Sequence, residues 1–328
     1  MIRVALDVMG GDLAPHAPIE GALAALQAWP EELSVGLVGP PGILEPIIAE
    51  AATPGMSIIP AEEAIGPDES PALAVRRKPD STIVRGLEAV RNGEADALIS
   101  AGSTGAVMAG AVLTLGVLPG VSRPPVGAMF PTSSGHMLVV DVGAHVNTRP
   151  HQLHQNARLG AIYLRDSHGV RSPRVGLLNV GREEEKGDEV TVAAYRLLEE
   201  DIEIDFVGNV EGHRIIAGDC DVLVCSGFVG NALLKFYESM AGFLIGILRN
   251  SGIEQESEID RVLKFLDYTE YGGAPLLGVD GVAIICHGAS PARAIKNATR
   301  AAVDSVRSGL VPNMRRALEE MRTSEEAV

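Results

Sequence analysis

The chain has 328 residues and 46% hydrophobic content, enough to bury a large core and to form one large or two ordinary domains. Its 43 aspartates and glutamates outnumber its 27 lysines and arginines, and the resulting formal charge of −16 predicts no nucleic-acid partner. Three cysteines without a C-x-x-C pair predict a reduced, cytoplasmic protein, and Asp7 interrupts any signal-peptide core.

Short apolar runs alternate with helical patterns along the chain, which predicts a mostly parallel sheet with helices on both faces, a three-layer αβα sandwich. The predicted strands are residues 2–7, 34–38, 56–59, 95–100, 126–130, 137–142, 174–179, 203–207, 221–225 and 281–286. The predicted helices are residues 18–28, 41–51, 80–92, 104–115, 149–165, 187–199, 228–249, 257–266 and 291–308. The runs joined by TSSG predict a hairpin, so the sheet is mixed.

No low-complexity linker divides the chain, so we expect one two-lobed unit over residues 1–322, with a helical excursion over about 228–270. The polar residues 323–328 predict a loose C-terminal tail. The segment between Asp96 and Arg123 carries no charge, but its glycines and prolines indicate a buried strand, turn and helix rather than a membrane span.

One design occurs twice: an apolar strand, a Gly-x-x-Gly turn and the start of an apolar helix. The segments are DALISAGSTGA at 96–106 and DVLVCSGFVGN at 221–231, which align Gly102 with Gly227 and Gly105 with Gly230. A glycine turn after a buried strand is common in α/β proteins. Two matched turns favour a shared backbone shape that presents helix N–H groups, and therefore an anion site.

Ligands of parallel α/β sheets lie beyond the carboxyl ends of the strands, where this chain places glycines, carboxylates and amides. The candidate binding residues there are Asp7, Gly10, Gly11, Asp12, Gly102, Ser103, Thr104, Gly105, Asp141, Asn147, Asn209, Gly227 and Gly230. The sequence has no G-x-S-x-G elbow, P-loop, G-x-G-x-x-G fingerprint or H-E-x-x-H motif, so hydrolase, ATP, NAD and zinc chemistry have no local support.

Three further residues are candidates for chemistry, each with a structural alternative. Lys186 follows three glutamates at a loop-to-helix junction, where it either solvates the helix start or meets an anion. Asn231 is expected in the first helical turn, where it either donates to an oxyanion or caps the helix, with capping favoured. His287 follows a buried strand and either protonates a leaving group or is structural.

Six segments recur in one known family in the same order and at matching spacing. They are DVMGGDLAP at 7–15, AVRRKPDST at 74–82, SAGSTGAVMAG at 100–110, LLNVGREEEKG at 177–187, FVGNVEG at 206–212 and EYGGAPLLGVDGV at 270–282. From Ile2 to about Gly309 the chain resembles the bacterial phosphate acyltransferases of the PlsX family.

The resemblance implies transfer of a long-chain acyl group from acyl carrier protein to inorganic phosphate, giving acyl phosphate for phospholipid synthesis without a metal or organic cofactor. It also implies a homodimer, a downstream membrane acyltransferase as partner, and a fold similar to the isocitrate/isopropylmalate dehydrogenase and phosphotransacetylase group. The alternatives are a phosphotransacetylase-like enzyme that uses acyl-CoA and a non-catalytic homologue that binds carrier protein. The basic cluster Arg76 to Lys78 is a candidate for docking the carrier protein.

In this interpretation Gly102–Gly105 and residues 226–231 form a phosphate and oxyanion cradle, Lys186 neutralises charge and His287 serves the departing thiol. Four positions depart from the family pattern: Ser103, His145, Asn147 and Ser226. Relatives also carry a basic, apolar segment before the EYGGAPLLG motif, whereas residues 254–260 here are acidic. We therefore expect a cytoplasmic protein whose membrane contact is weak or peripheral, at the inner face.

Overall fold

The computed structural model describes residues 1–250, 270 and 272–326. Its contacts divide the chain into two compact units, one formed by Met1–Pro124 with Tyr271–Val328 and the other by Pro125–Glu270. We call them the first and the second unit. The first unit contains a six-stranded sheet and the second a five-stranded sheet. The expectation of one two-lobed unit stays a prediction.

The elements are numbered in chain order. The strands are β1 (Ile2–Asp7), β2 (Leu33–Gly39), β3 (Met56–Pro60), β4 (Ala97–Ser100), β5 (Gly127–Thr132), β6 (Gly135–Val140), β7 (Arg174–Asn179), β8 (Asp205–Glu211), β9 (Val222–Val224), β10 (Ala274–Pro275) and β11 (Val282–Ile285). The helices are α1 (His16–Ala28), α2 (Pro41–Ala51), α3 (Pro71–Arg77), α4 (Thr82–Arg91), α5 (Thr104–Thr114), α6 (Pro150–His168), α7 (Glu189–Glu199), α8 (Gly227–Asn250), α9 (Ala292–Arg307) and α10 (Leu310–Glu326). A short 3₁₀ helix covers Gly212–Arg214.

The sheet of the first unit has the order β10-β11-β4-β1-β2-β3, and every neighbouring pair is parallel except β10 with β11. Its strands are buried on both faces, since Leu6 and Ile99 pack in one core with α1 and α9, while Leu98 contacts α4 from the opposite side. Continuous apolar runs such as VALD and ALIS are typical of strands covered on both faces.

The sheet of the second unit has the order β5-β6-β9-β7-β8, with the antiparallel pair β5 and β6 at one edge. Helix α6 covers the face that carries Leu138 and Val222, because Gly160 on that helix lies directly against both side chains. Helix α8 reaches the opposite face, where Tyr237 stacks on Phe130 with ring centroids 5.2 Å apart. Strands β6, β9, β7 and β8 run parallel, so their carboxyl ends lie at one edge of the sheet.

All ten predicted strands and the predicted β5–β6 hairpin are present, and most boundaries agree within two residues. Helices α3 and α10 and strand β10 were not predicted; α3 and β10, with seven and two residues, are too short to show a period. Helix α10 continues to Glu326 and buries Leu310, Met314 and Leu318 at spacings of four, and the loose tail expected over residues 323–328 stays a prediction. The predicted helix at 257–266 lies outside the described residues.

Among the helices that the structure describes, none combines the length and apolar character needed to cross a bilayer.

Candidate functional site

In the first unit, Asp7 ends β1 with a carboxylate that is only 1% exposed. Ser100 donates its hydroxyl to Asp7 Oδ2 at 2.6 Å, and the backbone N–H of Met9 donates to Oδ1 at 3.1 Å. Burial raises the pKa of the Asp7 carboxyl, whereas the hydrogen bonds from Ser100, Thr82 and Met9 act to lower it. The carboxylate therefore faces protein groups, and its binding of a substrate stays a prediction.

The loop after β1 meets two other strand ends of the same sheet. The N–H of Asp12 donates to the carbonyl of Gly288 at 2.7 Å, and Gly11 adopts φ +97° against that carbonyl. A Cβ at Gly10 would lie 2.6 Å from the amide nitrogen of Gly102, so no side chain fits there. Three predicted segments, at the ends of β1, β4 and β11, thus converge in the first unit.

Helix α5 begins at Thr104, directly after the predicted glycine turn. Its first α-helical hydrogen bond joins the carbonyl of Ser103 to the N–H of Val107 at 3.0 Å. Within the described residues, the N–H groups of Thr104 and Gly105 make no hydrogen bond. Gly105 also lies against Pro71 of α3, where a Cβ would approach the proline ring to 2.7 Å. The turn therefore presents helix N–H donors, as the anion hypothesis requires.

His287 follows β11 and is exposed. Its Nδ1 accepts a hydrogen bond from the N–H of Ala289 at 3.1 Å, and its carbonyl accepts one from Ser290 at 2.9 Å. An accepting Nδ1 assigns the proton of the neutral imidazole to Nε2. The imidazole is thus oriented by the turn that follows it, with its Nε2–H as a donor.

In the second unit, Asp141 follows β6 and is also 1% exposed. Its Oδ1 accepts N–H groups from Val126, Gly143 and Ala144 at 3.2, 3.1 and 2.9 Å, and its Oδ2 accepts that of His145 at 2.9 Å. The imidazole Nδ1 of His145 lies 3.3 Å from the same Oδ2. One buried carboxylate therefore shapes the whole loop.

The loop at Asp141 lies against the start of α8. A Cβ at Gly227 would approach Asp141 Oδ2 to 2.7 Å, and a Cβ at Gly230 would overlap the Asp141 carbonyl oxygen. The N-cap is Ser226, whose Oγ accepts the N–H of Val229 at 3.4 Å. The structure thus brings three of the predicted residues, Asp141, Gly227 and Gly230, into direct contact.

Asn231 is the fifth residue of α8, so the favoured interpretation as a helix cap was wrong, because Ser226 occupies that position. Its side chain is exposed and lies over Gly143, 3.4 Å from the point where a Cβ would stand. The amide of Asn231 therefore does not cap the helix and lies beside the loop that Asp141 organises. Asn147 lies further along the same loop and is exposed.

The two glycine turns differ in backbone shape, contrary to the expectation. The first helical hydrogen bond is accepted by the carbonyl of Ser103 in the first turn and by the carbonyl of Ser226 in the second. In the alignment Ser226 matches Ala101, two positions before Ser103. Gly102 therefore precedes its helix, whereas Gly227 is the first residue of α8. The units instead share a buried aspartate beside the first glycine, since the Cβ position of Gly102 lies 3.4 Å from Asp7 Oδ2.

Lys186 lies in the loop between β7 and α7 and is exposed. Helix α7 begins at Glu189 with Asp188 as its N-cap, so Lys186 stands outside the helix rather than at its first turn. None of the ion pairs in the described ranges involves Lys186, although Glu184 lies 3.9 Å from Arg196. Within the described ranges the ammonium of Lys186 thus has no ion-pair partner, and its loop follows β7 at the edge where β6, β9, β7 and β8 end.

Asn209, predicted to bind substrate, is 7% exposed and donates its amide to the carbonyl of Glu183 at 2.9 Å. The structure also adds residues that sequence reasoning did not single out: Ser100, which holds Asp7, and Asn179, which holds the Lys186 loop. The one feature of the sequence that could have indicated them is their position, since each is the last residue of a strand.

The cysteines are unsuited to nucleophilic chemistry. All three are buried, and burial raises the pKa of Cys220 and Cys286 to about 12 and that of Cys225 further. Among the described side chains there is no group of three or more His, Cys, Asp or Glu residues arranged to hold a metal ion.

Comparison with known proteins gives a consistent result. Residues 2–313 match the model of a family described as "Fatty acid synthesis protein". The chain is 45% identical to "Phosphate acyltransferase" of Desulforamulus reducens, covering 99% of this chain and all of the relative, and 46% identical to that of Heliobacterium modesticaldum, covering 94% and 96%.

Among solved structures, the EutD phosphotransacetylase from Staphylococcus aureus superposes with a TM-score of 0.63 at 16% identity, covering 93% of this chain and 94% of the other. At that identity the likeness concerns the fold alone, and it confirms the expected fold group.

Proposed function

Because the chain belongs to the fatty acid synthesis protein family, we propose that it transfers a long-chain fatty acyl group from acyl carrier protein to inorganic phosphate. The observation that carries this proposal is the similarity, over nearly the whole chain, to relatives named phosphate acyltransferase. The product is an acyl phosphate, an activated acyl donor for phospholipid synthesis.

Phosphate is already an anion at neutral pH, so the reaction needs no base to create the nucleophile. Catalysis then consists of holding phosphate beside the thioester carbonyl and stabilising the oxyanion of the tetrahedral intermediate. The N–H groups that begin α5 and α8, at residues 104–106 and 227–228, supply donors of this kind. Lys186 adds a positive charge that no carboxylate within the described ranges engages.

When the intermediate collapses, the C–S bond breaks and the thiol of the carrier protein's prosthetic group leaves as a thiolate. We assign to His287 a hydrogen bond from Nε2–H to this departing thiolate, because Nδ1 accepts the N–H of Ala289 and Nε2 carries the proton of the neutral ring; the thiolate then takes its proton from water. Asn231 is assigned to the oxyanion, on the strength of an exposed amide beside Gly143.

Carrier protein as the donor is supported by charge. In this proposal a basic surface recognises the carrier protein. Arg76 and Arg77 are exposed at the end of α3, and the first residue of that helix touches Gly105. Lys78 is already engaged, since its Nζ lies 2.7 Å from Glu69. Reversing Arg76 and Arg77 to glutamate should raise KM for acyl carrier protein and leave KM for phosphate unchanged.

The proposal further includes a cytoplasmic homodimer that contacts the inner face of the membrane peripherally. Its partner is a downstream membrane acyltransferase. Its support is an apolar face on α8, where Phe228, Phe236, Phe243 and Ile247 are exposed. Chemical cross-linking and flotation with anionic vesicles at physiological salt test the two contacts separately.

The decisive experiment offers the purified protein phosphate together with either acyl-acyl carrier protein or acyl-CoA and measures acyl phosphate. Product from carrier protein supports the proposal, and product from acyl-CoA alone identifies a phosphotransacetylase-like enzyme. A protein that binds carrier protein without forming product with either donor is a non-catalytic homologue.

The role of Lys186 is tested by Lys186→Ala, which should lower turnover by about 10²-fold or more, on the scale of losing one transition-state donor. The control is Lys235→Ala, because Lys235 is an exposed lysine of the same unit already paired with Glu238 at 2.8 Å. Turnover of Lys186→Ala close to that of the control would remove Lys186 from the mechanism.

A further inference from the structure

The loop that carries Lys186, residues 180–188, is held by two amide side chains from neighbouring strands. Asn179, at the end of β7, donates its Nδ2 to the carbonyl of Lys186 at 2.8 Å and accepts the N–H of Val180 at 2.7 Å. Asn209, on β8, donates its Nδ2 to the carbonyl of Glu183 at 2.9 Å. That carbonyl also accepts the N–H of Lys186 at 3.1 Å, so both amides act on the turn from 183 to 186.

A β-bulge places Asn209 where it can do this. Along β7 the register advances two residues, from Val175 to Leu177, while along β8 it advances three, from Phe206 to Asn209. Gly208 within the bulge has φ +86°, a conformation that favours glycine. Bulges re-aim side chains, and here the change of register turns the Asn209 amide towards the loop.

Two glycines of the loop complete the arrangement. The stem of Lys186 lies over Gly181, where a Cβ would approach Lys186 Cγ to 2.9 Å. Gly187 has φ +100° and lies against the side chain of Asn179, 2.6 Å from its Oδ1 at the Cβ position. The stem of Lys186 is therefore bounded by Gly181, while the contact of Gly187 with Asn179 fixes the backbone that follows the lysine.

The amide of Asn209 carries a penalty that a purely structural position would avoid. Its Oδ1 is buried and has no hydrogen-bond partner among the described residues. The opposite amide orientation would bring Oδ1 against the Glu183 carbonyl, so the observed orientation is the one that lets Nδ2 donate. An unpaired buried acceptor lowers stability, and a residue that keeps one calls for an explanation beyond packing.

We propose that Asn179 and Asn209 are positioning residues that hold the 180–188 loop in the one shape that presents the Lys186 ammonium to phosphate. This inference rests on the proposed function for its catalytic part, because it acts through Lys186. It adds a condition, that Lys186 is effective only while the carbonyls of Glu183 and Lys186 both accept hydrogen bonds from the two asparagines.

The first test follows the loop itself and needs no activity. Lys186 is an exposed trypsin site, and the rate of cleavage after it is measured by mass spectrometry in the intact protein, with cleavage after the exposed Arg171 as internal reference. Asn209→Ala and Asn179→Ala should each raise cleavage after Lys186 about fivefold to tenfold, the effect of losing one hydrogen bond on loop opening.

Ser133→Ala is the matched control variant, since Ser133 also donates a side-chain hydrogen bond to a backbone carbonyl of the second unit, that of Ala217 at 3.1 Å. It should leave cleavage after Lys186 unchanged. Where circular dichroism shows that an alanine variant does not fold, Asn209→Ser and Asn179→Ser replace it, because serine retains a donor of smaller reach and should give a smaller increase. Unchanged cleavage after Lys186 in the folded Asn variants overturns the proposal.

The second test asks whether the asparagines act through Lys186. Asn209→Ala should lower kcat/KM for phosphate by about tenfold to 10²-fold, as expected for a misplaced catalytic group. In the Lys186→Ala background the same change should cause a loss of less than about twofold, the non-additivity of residues that share one interaction. Equal losses in both backgrounds show a merely structural role and overturn the inference.

The two failures are distinguishable. Wild-type protein that forms no acyl phosphate from either donor refutes the proposed function, whereas a wild-type enzyme with additive variants refutes only the positioning role.

Discussion

Gly230→Ala tests the contact on which the second unit's site is built. A methyl group at Gly230 would overlap the carbonyl oxygen of Asp141 and stand 2.9 Å from its carbonyl carbon and 3.0 Å from Cys225 Sγ. The first two are backbone atoms, which cannot rotate aside as a flexible side chain can. Helix α8 must therefore move away from the loop that Asp141 organises.

The magnitude follows from two opposing effects. Overpacking against a fixed neighbour destabilises by roughly 1–3 kcal/mol, and a backbone neighbour places this site at the upper end. Alanine in a helix recovers up to about 1 kcal/mol relative to glycine. The net loss is about 2 kcal/mol, which lowers the melting temperature of a unit of this size by roughly 4–8 °C.

The matched control is Gly242→Ala in the same helix, where a Cβ meets no atom within 4 Å. This variant should be as stable as the wild type or more so, because it receives only the helix-propensity gain. Calorimetry gives the melting temperatures, and acyl phosphate formation should fall about tenfold or more for Gly230→Ala alone. Equal stability and activity of the two variants would show that the start of α8 is not locked to Asp141.

Three further predictions concern other contacts. Burial raises the pKa of Asp201, but hydrogen bonds from His154 and Arg158 lower it more, to about 2. Because the folded-state pKa of Asp201 is lowered, the ionised carboxylate stabilises the fold by about 2 kcal/mol above about pH 4, and this stabilisation is lost as the pH falls towards 2. Asp201→Asn should therefore lower the urea midpoint of unfolding at pH 7 but not near pH 2. Gly181→Ala should displace the Lys186 stem and reduce turnover without lowering the melting temperature, whereas unchanged turnover would separate the stem's path from catalysis. Ser100→Ala should lower the free energy of unfolding by about 1–3 kcal/mol in denaturant titrations, because it removes a donor from the buried Asp7 carboxylate. A smaller change would show that this hydrogen bond does not stabilise the carboxylate.

Much of the fold could be predicted because its signals are local. Buried parallel strands are continuous apolar runs, and helices such as α9 show apolar residues at regular helical spacing. The elements that escaped prediction depend on tertiary contacts: α3 has only seven residues, and α10 has a largely polar sequence in which Leu310, Met314 and Leu318 are buried. The division of the strands between two sheets likewise has no local signal.

The sequence predicted where the candidate residues lie in the two sheets but not what their side chains contact. Strand-end reasoning placed Asp7, Asp141 and Asn209 at the right edge, yet all three side chains are buried and bind protein groups. Which way a polar side chain faces depends on register, and the bulge at Gly208 is invisible as a pattern in single-sequence reasoning. The cap at Ser226 was missed because the two glycine repeats suggested equal helix starts.

A buried carboxylate near a proposed anion site opposes an incoming anion, and the two units hold their carboxylates with different donors. Asp141 accepts four backbone N–H groups, whose dipoles offset its charge and at the same time fix the loop over which Asn231 lies. For Asp7 burial raises the pKa, while the hydroxyl of Ser100 and the N–H of Met9 donate to the carboxylate and hold it beside Gly102. In each unit the aspartate thus fixes the shape of a turn before any ligand binds, and this favours preorganised donors over donors assembled by the ligand.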